Sequence, residues 1–91
     1  KQQAKKLTYQ DQRALEQLPI EIQQLEARIA ELTTLAATAD FYTQPFSVTQ
    51  AVLDELQQSN EALESRMLRW LELEERQQKF LQTKPAASST N

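Results

Sequence analysis

Leu15-Glu16-Gln17-Leu18-Pro19-Ile20-Glu21-Ile22-Gln23-Gln24-Leu25-Glu26-Ala27-Arg28-Ile29-Ala30-Glu31-Leu32 sets Leu15, Leu18, Ile22, Leu25, Ile29 and Leu32 three and four residues apart without a miss. Leu15, Ile22 and Ile29 occupy one core position of a heptad, and Leu18, Leu25 and Leu32 the other. The seam is narrow, as knobs-into-holes packing requires. One helix cannot bury such a stripe alone, so the stretch reads as a helix that needs a helical partner.

The partner is expected in the same chain. Leu53, Leu56, Asn60, Leu63, Met67 and Trp70 repeat the same spacing. Between the two arms lies Asp40-Phe41-Tyr42-Thr43-Gln44-Pro45-Phe46. Pro45 removes a backbone donor and disfavours helix at Gln44, and Ser47 followed by Gln50 has the form of a capping box opening the second arm. The predicted fold is all-α: an antiparallel two-helix coiled-coil hairpin with a short N-terminal helix before a Pro kink. In the register that keeps both seams aligned, Ile29 faces Leu56, Leu25 faces Asn60, Ile22 faces Leu63, Leu18 faces Met67 and Leu15 faces Trp70. Arms of about 30 to 35 residues reach on the order of 50 Å at 1.5 Å per residue.

Two positions break the pattern. Pro19 costs a helix about 3 kcal/mol in its interior. Thr8 with Asp11 can cap a short helix that ends at Leu18, leaving Pro19 in the first turn of a longer one. The bend would let Tyr9 and Leu15 close over Trp70, or would shape a binding surface there. Asn60 either fixes register inside the seam or rotates to solvent. The expected organisation is an N-terminal linker over 1–6, a hairpin over 7–82 with helices at about 9–18, 19–38 and 48–82, and a flexible tail over 83–91, where Pro85 is followed by small and polar residues.

The residue inventory narrows the function. The 91 residues include no Gly, Cys or His. A phosphate-cradling glycine loop, thiol or imidazole chemistry, disulfides and the usual zinc ligands are thereby excluded from this stretch. No apolar run reaches the roughly 20 residues of a membrane span, and the basic first residues lack the apolar core of a signal peptide. A soluble, cytoplasmic setting is expected. The first residue is Lys1, which suggests a piece of a larger protein.

Charge is polarised along the hairpin despite a net charge of only −3. Residues 29–65 carry Glu31, Asp40, Asp54, Glu55, Glu61 and Glu64 without a Lys or Arg. Lys1, Lys5, Lys6 and Arg13 lie at the open end on the first arm, and Arg66, Arg69, Arg76, Lys79 and Lys84 on or beyond the second. Such a cluster attracts phosphate backbones by counterion release. It is interrupted by Asp11, Glu16, Glu72, Glu74 and Glu75, so ion pairing on helix surfaces, such as Glu72 with Arg76, is the competing use.

Four landmarks stand in order along this framework: Lys6-Leu7-Thr8-Tyr9, Leu18-Pro19, Asp40-Phe41-Tyr42 and Arg69-Trp70-Leu71-Glu72. With Gln12-Arg13-Ala14-Leu15-Glu16 and Ile22-Gln23-Gln24-Leu25-Glu26, they resemble the C-terminal domain of Uup-type ABC-F ATPases over residues 5 to about 76. The resemblance implies a parent with two ATP-binding cassettes, a linker and this coiled coil. In the family the coiled coil is associated with DNA binding and supports the whole protein's activity. ABC-F proteins as a class are linked to ribosomes. On that basis this segment is non-catalytic and holds no cofactor, and ATP and Mg belong to the cassettes.

No single-residue DNA motif carries over from the family. The expected nucleic-acid contacts are therefore drawn from charge: Lys5, Lys6 and Arg13 on the first arm, and Arg69, Arg76 and Lys79 on the second. They would touch phosphates without reading bases. Arg69 has a competing use, covering the ring of Trp70. Tyr9 and Trp70 read as core closures. Phe41, Tyr42 and Phe46 read as a plug for the acidic tip, where a protein contact is favoured over base stacking.

Three readings stay open. One is a DNA-binding accessory domain, weak and salt-sensitive. A second is an arm that contacts the ribosome or ribosomal RNA. The third is a structural or regulatory coiled coil held against its own ATPase domains or self-paired, although the isolated domain is expected to be monomeric.

Overall fold

The computed structural model describes residues 6–83. The sequence expectations for Lys5, Lys84 and the tail from Pro85 lie outside the described residues. Helix α1 runs Tyr9–Ala36, a single 3₁₀ turn occupies Phe41–Thr43, and helix α2 runs Phe46–Thr83. The two helices pack antiparallel as a rod measuring 70 × 20 × 17 Å. The rod exceeds the expected length because α2 has 38 residues, about 57 Å of helix at the standard rise.

Thr8 caps α1 as its sequence suggests: its hydroxyl accepts the Asp11 N–H at 3.0 Å, which satisfies one of the donors left over at a helix start. The expected pair of helices meeting at Pro19 is replaced by one helix with Pro19 inside it. Packing on both sides of the ring explains the continuity. Leu18 is buried in the open-end core, and Ile22 lines a groove with Met67 and Trp70 of α2. A break would lift one of these off α2, and the straight partner helix holds both turns in line.

The return is made without glycine and without any residue at positive φ among those described. Short-range bonds do the work. Thr38 and Thr43 hydroxyls donate to the carbonyls of Leu35 and Asp40 at 2.9 and 2.7 Å, and the Phe41 N–H donates to Thr38 at 3.2 Å. Phe41 is fully buried and meets Tyr42 edge-on, with ring centroids 4.8 Å apart. The aromatic plug is thus one ring, since Tyr42 and Phe46 are exposed. Helix α2 begins at Phe46, with the Pro45 carbonyl accepting from Val48 and Thr49 at 2.9 and 3.2 Å. Ser47 therefore lies inside the first turn and not at the cap.

The α1 seam follows the sequence pattern, with Leu18 and Leu32 buried and Leu15, Ile22, Leu25 and Ile29 partly so. The α2 seam shares Leu53, Leu56, Leu63 and Trp70 with the expected one and departs from it at Asn60 and Met67. Asn60 faces solvent, the second of its two readings, and its neighbour Ser59 is buried in the seam. Met67 is 42% exposed, so it is not the core partner of Leu18. Leu18 packs instead with Leu7 and Leu73, and Ala14, Leu15 and Trp70 close around them. Tyr9 does not close the open end; it is exposed, and Leu7 takes that role.

Candidate nucleic-acid interface

The interhelical surface on one side of the rod is a ladder of ion pairs. Arg28 grips Glu55 with two hydrogen bonds of 2.7 and 2.8 Å and reaches Glu31 at 3.0 Å. The Arg28 hydrogen bond holds the Glu55 carboxyl below its ordinary pKa, and the two glutamates raise that of Arg28. Nearer the open end, Arg66 donates to Glu21 at 2.8 Å. The last rung is Asp11, whose side chain is only 15% exposed. It takes Arg69 at 3.1 Å and Arg76 at 3.4 Å, one on each carboxylate oxygen.

This last rung divides the six cations expected to bind nucleic acid. Lys5 lies outside the described residues. Lys6 is exposed beside the buried Leu7. Arg13 is exposed, donates to the Tyr9 hydroxyl at 3.2 Å and sits 5.9 Å from the centre of that ring. Lys79 is exposed and 4.0 Å from Glu75. Arg69 and Arg76 are brought together by Asp11, and Arg69 also reaches Glu72 at 3.4 Å. Arg69 thus spends its charge on carboxylates rather than on the Trp70 ring, and Arg76 pairs with Asp11 rather than with Glu72.

Asp11 is the residue whose role the sequence reading missed. The sequence places it at the Thr8 cap and among the acids that interrupt the basic cluster, whereas the structure turns its side chain against Arg69 and Arg76. Arg13, two residues on, projects to the opposite side of α1, as helical periodicity requires. The open end therefore offers exposed Lys6, Arg13 and Lys79, with two arginines partly neutralised beside them.

Among the described residues no group of three or more Asp, Glu, His or Cys could hold a metal ion, and no helix is long and apolar enough to cross a membrane.

Residues 6–75 match the family model for the ABC transporter C-terminal domain. The chain is 42% identical over 74 residues to the ATP-binding protein Uup of Escherichia coli (strain K12), a match covering 81% of this chain and 12% of that protein. It is also 42% identical over 71 residues to an ATP-binding protein Uup-like of Haemophilus influenzae (strain ATCC 51907 / DSM 11121 / KW20 / Rd), covering 78% of this chain and 16% of that one. The matched stretch is thus a small part of each relative's length. A solved structure described as the C-terminal domain of the Uup protein, a DNA-binding coiled coil motif, superposes with a TM-score of 0.76 at 40% identity, covering 79% of this chain and 85% of that one. The all-helical hairpin, with its ordered landmarks, belongs to the ABC transporter C-terminal domain family.

Proposed function

We propose that this chain is an accessory domain of a larger ATP-binding ABC protein and binds duplex DNA through phosphate contacts at its open end. The observation that carries the reading is the 40% identity and close superposition with a coiled coil described as DNA-binding. The charge layout supports the location. Lys6, Arg13 and Lys79 are exposed at the end away from the acidic tip, with Lys5 next to Lys6 in sequence. A guanidinium carries five N–H donors, so Arg69 and Arg76 keep donors for phosphate after meeting Asp11.

The binding is weak, because carboxylates lie among the cations and the net charge is −3. Each phosphate neutralised adds a slope of about −0.9 to the dependence of log affinity on log salt. The contacts orient the rod on the duplex and read no bases. ATP, Mg and hydrolysis belong to the rest of the parent protein, and this segment acts without catalysis. The isolated domain is a monomer in a cytoplasmic protein, and its other partner is the parent's own ATPase region.

Fluorescence anisotropy with a labelled short duplex tests the reading. The double variant Lys6→Glu, Arg13→Glu should weaken binding and flatten the salt slope by about 2. Unchanged affinity in that variant would remove the open end as the contact.

A further inference from the structure

The two sides of the hairpin are chemically unlike. One carries the Arg28–Glu55, Arg66–Glu21 and Asp11 rungs, with a polar groove of about 290 Å³ lined by Glu21, Gln24, Leu25 and Arg66 between them. The other holds an open groove of about 240 Å³ lined by Pro19, Ile22, Gln23, Met67 and Trp70. Its floor and walls are almost wholly apolar, and the apolar surface continues outward. Met67 is 42%, Leu68 63%, Leu71 53% and Ile20 49% exposed. Helical spacing puts Leu71 one turn from Met67 and beside Leu68. Isolated exposed leucines need no explanation, but a contiguous apolar strip beside a groove marks an interaction surface.

The rim is predominantly acidic. Glu64 lies three and four residues before Met67 and Leu68. Glu74 and Glu75 lie three and four after Leu71. On α1, Glu16 precedes Pro19 by three and Glu26 follows Ile22 by four. These spacings place all five carboxylates around the strip. Glu75 meets Lys79 at 4.0 Å, whereas Glu16, Glu26, Glu64 and Glu74 make no ion pair with any described residue. Acids that surround an apolar strip, four of the five without an ion-pair partner, suit an occupant that is apolar at its centre and cationic at its edges.

We propose that this flank is a docking surface for a basic amphipathic helix of a protein partner, with apolar side chains entering the Pro19–Trp70 groove and Lys or Arg meeting the glutamate rim. A second copy of the chain is disfavoured, because a two-fold pairing through this strip sets like carboxylates against one another. Duplex DNA is disfavoured by the same five acids. The flank therefore takes a different ligand from the basic open end, which it adjoins where Glu75 meets Lys79.

The probe is a synthetic amphipathic Leu/Lys helical peptide, with a Leu/Glu peptide of the same pattern as its counterpart, each titrated into the 91-residue chain and followed by methyl and indole NMR. Saturable shifts of Ile22, Met67, Leu71 and the Trp70 indole with the Lys peptide alone, fading with salt, are the expected result. The variant Met67→Lys, Leu71→Lys changes only exposed positions, so its circular dichroism stays helical while its affinity for the Lys peptide falls about tenfold or more. Equal binding of both peptides, shifts confined to the tip or the ion-pair side, or unchanged affinity in the double variant would overturn the proposal.

Discussion

The Asp11 carboxylate accepts a hydrogen bond from Arg69 at 3.1 Å across the helix interface, and its second oxygen meets Arg76 at 3.4 Å. One residue in the first turn of α1 thus clamps two arginines that stand two turns apart on α2 and partly neutralises both. Asp11→Asn should separate these two effects. Loss of the clamp costs about 1 kcal/mol: Asp11 is largely buried and holds two partners, but solvent screens arginines that remain over 40% exposed. DNA affinity should rise and the salt slope steepen by about 1 to 2. Thermal unfolding and anisotropy on the same variant check both signs.

Leu73 and Met67 lie six residues apart on α2, and the structure assigns them opposite roles. Leu73 is fully buried beside Leu7 and Leu18. Leu73→Ala should cost about 2 to 5 kcal/mol and Met67→Ala less than about 1. Comparable losses in chemical denaturation would contradict the seam described above.

Pro19 sits inside a continuous helix, where Pro is about 3 kcal/mol less favourable than Ala. Pro19→Ala restores the missing donor without disturbing buried atoms, and should stabilise the hairpin by about 1 to 3 kcal/mol. A drop in melting temperature would mean that the ring's packing on the groove outweighs its backbone cost.

Glu55 carries the pH dependence of the mid-rod ladder. Its carboxyl pKa is lowered in the folded state by the Arg28 hydrogen bond, so the contribution is present above the ordinary carboxylate value and is lost as pH falls through the folded one. A carbon-detected titration should place the Glu55 midpoint below 4.5, and Arg28→Gln should move it upward. A midpoint that ignores the variant would rule out Arg28 as the cause.

The hairpin was legible because α1 carries an unbroken pattern of large aliphatic residues and the turn between the arms contains Pro45. The phase of α2 was only half legible. A helix with one neighbour buries a narrow line, so the apolar Met67 looks more eligible than the small Ser59, yet Met67 is exposed and Ser59 faces inward. Leu7 was hidden because it precedes the cap at Thr8 and packs only after the chain folds back. At the candidate site, charge marked the basic end, but the capture of Arg69 and Arg76 by Asp11 depends on the register between helices, which spacing along one helix does not disclose.

The most direct test of the DNA-contact reading is an amide NMR titration of the chain with a short duplex at about 50 mM and then about 200 mM salt. The account predicts shifts at Lys6, Arg13, Arg76 and Lys79 that shrink at the higher salt, with Phe41 and Tyr42 silent. Shifts centred on the acidic tip, or none at either salt, would contradict it.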